Sequence, residues 1–504
     1  ALRAARLTAW MSHIQLKDTV LENCHISFLK CLVQLSSCVF SLAAGAARMW
    51  ASGARAAQQV AWFTLDGGEF DARAVVLVGR DVSDLYSIHL NGTTARLEDA
   101  LLLDMSSPAL LLSFTVFTAS NTTLHNCTPQ FGVLEGLNFV RTYLCPRLAF
   151  FRLSVLHCAI AKPLQAPLML MDGGEIYMDG ILMVHNDVRS TILTVSGQSP
   201  PGIVSVQNVV AHDNTADRLI LLGSSERLNA TLRNVRTWNN PSARPIITVF
   251  ALRFAIATLE NITMDETGWE RNVTCVDDDP SPTSRGAFPG LIYINFDLSP
   301  FILSDSRFTV VLRNLHVRTK SPPLTIFVSR LQNMSIADST FSCTEKPTGS
   351  CRSLMNLIGD SALNNVSISG CFLYAGGFSL TQITNSTFKD ALITSHLSPE
   401  RRCIETPAVD LLSRWEISDT LFKASTLSLL SSAVGSSIDT CTFQNGRVSL
   451  LSSLPFRATH HAVDGGAMFI LSKTMFFIEE IGTSPSLSAQ STSLLMKDVF
   501  TSAP

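Results

Sequence analysis

The sequence predicts an all-β chain built as a parallel β-helix solenoid with a short helical N-terminal cap, and three observations carry that expectation. A six-residue phrase returns along the chain: an aliphatic residue, any residue, Asn or a similar turn-former, two more residues, then an apolar one. The clearest copies are spaced in the mid-twenties, with Asn208, Asn234 and Asn261 lying 26 and 27 residues apart. The chain has 504 residues, well beyond the roughly 250–300 at which one compact core stops growing. Its hydrophobic content is 46% and its charged content only 16%, against a usual ~25% charged. A fixed phrase recurring at tens of residues marks a repeat array, and such an array buries an apolar column along its whole length.

The elements follow in order. Residues 1–63 are expected to form a partly helical cap, because Ser41 to Phe63 is rich in Ala, Arg and Gln, all strong helix formers. Leu21 to Ile26 already resembles a copy of the phrase, which leaves the inner boundary open. Residues 64–504 are expected to be the array: short alternating strands broken by Gly, Asn, Asp or Ser. Leu232 to Thr237, Leu259 to Met264, Leu312 to Val317, Leu331 to Ile336 and Leu363 to Ile368 carry the phrase. A variant ends in Phe, at Leu303 to Phe308, Ile336 to Phe341, Ile383 to Phe388, Ile417 to Phe422 and Ile438 to Phe443. Asn314 lies 53 residues after Asn261 and reads as two periods on.

A mid-twenties period made of three strands and three turns suits one coil. Strands of successive coils then stack in parallel at ~4.8 Å, with Leu, Ile, Val and Phe filling the bore. Asn, Asp or Gly at the third position bends the chain, because these residues tolerate left-handed backbone. Leu331/Ile336/Phe341 and Leu363/Ile368/Leu373 also step by fives, as pentapeptide repeats do, but the run stops after two steps.

Net charge is −3, and Lys and Arg are scattered with no basic face, so nucleic acid is not an expected partner. Cys31 to Trp50 is the most apolar stretch of spanning length, but it carries Gln34, Ser36, Ser37, Ser41 and Arg48 and reads as a buried terminal helix, not a membrane span. The chain begins at Ala1, not Met, so a fragment or processed form is expected, with any membrane tether outside it.

No constellation carries catalysis. Asp277, Asp278 and Asp279 form the densest acidic cluster, but neighbours on one Pro-rich loop do not make a pair of carboxylates across a substrate. His460, His461 and Asp464 stand together, yet adjacent residues of a strand face opposite ways. Asp66-Gly67-Gly68, Asp172-Gly173-Gly174 and Asp464-Gly465-Gly466 read as turns entering strands. No cofactor or metal is expected. Pro-rich breaks at 277–282 and 397–407 read as protruding loops.

Twelve cysteines are present, without a CxxC or a zinc-ligand cluster. Cys343 and Cys351 flank a turn-rich loop and are the disulfide candidate, given an oxidising compartment. Nine sequons, at Asn91, Asn121, Asn126, Asn229, Asn261, Asn272, Asn333, Asn365 and Asn385, are candidate N-glycosylation sites. The repeat itself generates several of them, since it places Asn third and Ser or Thr fifth.

Residues 417–443, from Ile-Ser-Asp-Thr-Leu-Phe through Ile-Asp-Thr-Cys-Thr-Phe, resemble right-handed parallel β-helix repeats of the pectin-lyase-like superfamily. Gly465-Gly466-Ala467-Met468 and Phe443-Gln444-Asn445 are similar to the short motifs of polymorphic outer-membrane adhesins. The Ser/Thr-rich texture with scattered sequons also looks like dispersed-gene-family surface proteins of kinetoplastid parasites. The resemblance implies a right-handed coil, extracellular or cell-surface display, and binding of carbohydrate or host surface proteins. It transfers no catalytic residue. The alternative reading is a diverged polysaccharide lyase or glycoside hydrolase on the same fold.

Overall fold

The computed structural model describes residues 2–42 and 61–496, apart from 80–85, 129–139, 161–166, 269–289, 297–307, 345–353, 395–413 and breaks of one to five residues; side chains are described as far as residue 444. Every described element is a β-strand, and the described strand pairings are parallel. The chain divides into two compact units, Ala1–Leu252 and Arg253–Pro504.

In the first unit, each coil passes through three faces. Face one holds Leu110–Ser113, Val140–Tyr143 and Ile247–Ala251. A long strand then bends from face two into face three, as in Ile203–His212 and Arg227–Trp238. Parallel register stacks like on like. Val204, Val206, Val209 and Ala211 pair with Ala230, Leu232, Val235 and Thr237. All eight are buried, so the inward side chains form continuous apolar columns; burying one such aliphatic side chain contributes roughly 1.5–3 kcal/mol.

The phrase is the corner between faces two and three. Its third residue is left-handed: Asn208 has φ 56°, Asn234 54°, Asn261 55°, Asn314 55° and Asn365 55°. The same corner uses Asp18, Ser37, Ala74, Asp99, Asn121, Arg152 and Gly180. A left-handed Ala or Arg costs roughly 1–3 kcal/mol. Ala74 and Arg152 are held there because Ala72 and Leu77, or Phe150 and Val155, must both face the core.

This overturns the expected cap within the described residues. The described residues of 2–42 form strands joined by turns, and Leu16 to Leu21 and Leu35 to Phe40 are in-phase copies of the phrase. Their third residues are the turn-formers Asp18 and Ser37, with φ 48° and 52°. The stretch from Cys31 is also strand, through Ser36 and again over Val39–Leu42, because its apolar residues alternate with period 2. Strand Ala61–Arg73 runs across the expected 63/64 boundary. The Ala-rich residues 43–60 lie outside the described residues, and among the described residues no helix is long and apolar enough to cross a membrane.

In the second unit, Ile336, Leu363, Ile383, Ile417 and Ile438 stack in one register column and Phe341, Ile368, Phe388, Phe422 and Phe443 in the next. Phe388 and Phe422 stack face to face, 5.2 Å apart at 8°. Two sequence expectations fail here. Leu259 pairs directly with Leu312, so the 53 residues between Asn261 and Asn314 are one coil, not two. Leu331 to Ile336 and Leu303 to Phe308 are out of phase, since Ile336 pairs with Leu312 and Phe308 with Ala255.

Candidate functional site

The corner between faces three and one in the first unit concentrates polar chemistry on both its sides. Its turning residues are Asp104, Asn126, His157, His185, Asp213 and Asn239, all with φ between 49° and 53°. The residue after each turn points inward.

From Cys127 onward, the inward side is a column of thiols and amides. Cys158, Asn186, Asn214 and Asn240 follow, none more than 1% exposed. Each donates to a main-chain carbonyl of the preceding coil: Cys127 to Leu102, Cys158 to Leu124, Asn186 to Val155, Asn214 to Met183 and Asn240 to Ala211. The amides also bond to one another. Asn186 Nδ2 donates to Asn214 Oδ1 and Asn214 Nδ2 to Asn240 Oδ1, both at 2.8 Å. The same oxygens accept the backbone N–H of Asn186 at 3.1 Å and of Asn214 at 3.2 Å. Buried polar groups cost free energy unless paired, and here each amide closes the corner of its neighbour.

The outward side is a ladder of rings. His125 and His157 have centroids 5.6 Å apart, His157 and His185 5.2 Å, His185 and His212 6.0 Å, and His212 and Trp238 4.4 Å. His157–His185 and His212–Trp238 are stacked, at 18° and 9°. Trp238 is 40% exposed, and His157 and His185 are exposed. The ladder presents the His157 and His185 rings and the Trp238 indole to solvent, while His125 and His212 are half-buried and His125 Nδ1 is enclosed. His212 Nδ1 lies 2.8 Å from the Asp213 carboxylate, whose pKa is held below the ordinary value chiefly by that hydrogen bond and then by the one from Asn239. A second exposed pair, Phe114 and Tyr143, packs edge to face at 5.7 Å.

The ladder was legible only faintly. His125, His157, His185 and His212 are 32, 28 and 27 residues apart, near the coil length, but the two of them at turning positions do not fit a search for Asn. Chemically, ring edges beside Asn and Asp side chains suit hydroxyl-bearing ligands. Among the described residues, no group of three His, Cys, Asp or Glu is placed to hold a metal ion.

The structure places seven of the nine sequons. Asn126, Asn229, Asn261, Asn365 and Asn385 are exposed, while Asn91 and Asn121 are half-buried. Asn91, Asn121, Asn126 and Asn365 donate from Nδ2 to Asp66, Asp99, Asp104 and Asp338 of the preceding coil. Asn272 and Asn333 lie outside the described residues, as do Asp277 to Asp279, His460 and Gly465-Gly466. Asp66-Gly67-Gly68 behaves as a turn: the glycines have φ 69° and 100°, and a Cβ on Gly68 would collide with the Cys31 carbonyl. Gly173 is held by the same close approach without a left-handed φ, since a Cβ there would lie 2.7 Å from the Cys145 carbonyl oxygen.

The disulfide expectation is corrected. Cys343 is bonded to Cys371, with Cα atoms 5.2 Å apart, and Cys351 lies outside the described residues. Register is the reason: Ser342 pairs with Ser369, which brings the ends of two neighbouring face-three strands together, whereas sequence spacing considers only the loop between two cysteines.

No family model, curated protein or solved structure matches this chain.

Proposed function

We propose that this chain is a right-handed parallel β-helix, displayed at a cell surface or secreted, that binds carbohydrate or another host surface molecule without acting on it chemically. The observation that carries the reading is the partly exposed ladder from His125 to Trp238, in which five coils each contribute one ring, from the turning position or the one before it, to a run of touching rings. A run of repeated donors and acceptors is suited to a ligand that itself repeats. Right-handedness is supported by the parallel pairing of successive coils, because crossovers between parallel strands of one sheet are right-handed in about 98% of cases. The sequons on exposed turns fit passage through a secretory pathway.

The test is retention of the folded protein on a glycan array and on intact cells, compared with a His212→Ala/Trp238→Ala double variant. Binding that falls at least tenfold in the variant supports the reading. Equal binding by the two proteins, or none by either, sinks it.

A further inference from the structure

The thiols of Cys127 and Cys158 have no part in the proposed binding surface, yet their placement is specific. His125 pairs with Leu156 in parallel register, Asn126 N–H donates to the Leu156 carbonyl at 3.0 Å, and Ala159 N–H donates to the Cys127 carbonyl at 2.9 Å. These bonds set Cys127 and Cys158 at one register position of neighbouring coils. Both side chains turn inward at the same corner and both are 0% exposed. Parallel neighbours lie ~4.8 Å apart, within the roughly 4.4–6.8 Å that a disulfide spans between Cα atoms. By contrast, Cys31 and Cys145 stand opposite Gly68 and Gly173, and Cys38 precedes the Val39–Val76 pair and faces Val75.

We propose that Cys127 and Cys158 form a second inter-coil disulfide, made as the protein folds in an oxidising compartment and then sealed in the corner column. The register favours the reaction, because it holds the two thiols at neighbouring places of one corner. Either cysteine can supply the first thiolate, and the bridge formed is the same whether Cys158 or Cys127 leads. The oxidant is an external disulfide, small-molecule or protein. When Cys158 leads, its thiolate attacks one sulfur of the oxidant, forming a mixed disulfide and releasing one thiolate. Cys127, after losing its proton to solvent, attacks the Cys158 sulfur and displaces the second thiolate. Two cysteine thiols are oxidised and the external disulfide is reduced to two thiols. Because both sulfurs are buried in the finished fold, exchange takes place before the flanking coils close over them.

The bridge changes what holds the corner. The thiol donors to Leu102 and Leu124 are given up for a covalent link closing a loop of about 30 residues, the kind of constraint that stabilises by restricting the unfolded chain. The column then runs from a covalent step to the amide steps at Asn186, Asn214 and Asn240.

The experiment uses the whole chain, secreted from a eukaryotic host, denatured without reductant, blocked with N-ethylmaleimide and mapped by peptide mass spectrometry. The expected result is one linked peptide pair containing Cys127 and Cys158, two hydrogens lighter than the separate peptides and carrying no maleimide. N-ethylmaleimide on both cysteines overturns the proposal, whether or not Cys343–Cys371 is linked in the same molecules. A Cys158→Ser variant, which keeps a donor for the Leu124 carbonyl, gives the second readout. Its Cys127 is expected to take up one maleimide, and dithiothreitol is expected to lower its midpoint of thermal unfolding less than that of the parent. An equal fall in both overturns the proposal independently.

Discussion

The two units solve one problem by different chemistry. Each corner of a coil leaves main-chain groups that no strand partner satisfies, and those groups are buried. In the first unit, the corner from face three to face one uses amides. Asn186, Asn214 and Asn240 each offer two donors and an acceptor, so one side chain serves a carbonyl, a backbone N–H and the next amide together. In the second unit, hydroxyls serve instead, Ser339 and Ser386 at the corner from face two to face three and Ser425 at the corner from face three to face one. Ser339 accepts from Leu315 N–H and donates to the Ala337 carbonyl, Ser386 accepts from Val366 and donates to Thr384, and Ser425 accepts from Ala391 and donates to Phe388. A hydroxyl carries one donor, so these links join a single pair of coils and do not propagate. The second unit instead has a Phe column and the Cys343–Cys371 bond. The lesson is that an amide column couples many coils, whereas hydroxyls and packed rings act more locally.

The largest expected effect comes from breaking the amide column in its middle. Asn214→Ala leaves the Asn186 N–H without its acceptor in a buried site and removes the Asn214 bonds to Asn186 Nδ2, Asn240 Oδ1 and the Met183 carbonyl, while Nδ2 keeps the Val155 carbonyl and Oδ1 keeps the backbone N–H at position 214. The orphan costs roughly 1–3 kcal/mol and each other lost bond about 1 kcal/mol, so a loss of about 3–6 kcal/mol is expected. Hydrogen exchange is the measurement, and protection should fall across the coils of Asn186, Asn214 and Asn240 together. A loss confined to one coil would break the comparison.

Next is Phe422→Ala, which removes a fully buried ring stacked on Phe388 and should cost about 3–5 kcal/mol. The loss of protection is expected to centre on strands Thr387–Lys389 and Leu421–Lys423. Spread through the whole unit would show that the Phe column is as cooperative as the amides.

Ser386→Ala should be milder, about 1–2 kcal/mol, because it orphans one backbone N–H, that of Val366. Faster exchange of the Val366 amide alone is the expected signature.

The smallest effect is that of pH at the first unit. Burial lowers the pKa of His89, with Asp66 opposing. A folded-state pKa below the unfolded value means that the folded protein binds fewer protons as pH drops from about 6.5. The contribution is therefore fully present above pH ~6.5 and is lost as pH falls through the folded-state pKa. Thermal melts at pH 7.5 and 5.5 should show a shift in the parent that is reduced in His89→Gln. An NMR titration of Asp213 should likewise place its carboxyl below an ordinary aspartate.

Much of the fold was legible in the chain. Asn at the third place of the phrase marked a left-handed residue, and Asn208, Asn234, Asn261, Asn314 and Asn365 all adopt it. That inference works because backbone preference is a property of the residue and its immediate neighbours. The doublets after the phrase, Asp213-Asn214 and Asn239-Asn240, were visible as turn-formers, but nothing local distinguishes the first, left-handed and outward, from the second, buried in the amide column. The copies at Ala74 and Arg152 are not legible in the phrase, because burial of the flanking apolar residues, not turn preference, dictates their backbone.

What the sequence determined by itself was the all-β class, the inward alternation and the corner phrase, since these rest on periods of two to six residues. Only the tertiary structure decided which coils touch. It made 53 residues one coil, joined Cys343 to Cys371 and set Cys127 beside Cys158. It also drew four histidines and a tryptophan into one run of touching rings. Pairing between coils depends on how much chain each turn spends before it returns to the stack, and that length varies from coil to coil without altering the phrase that marks the corner.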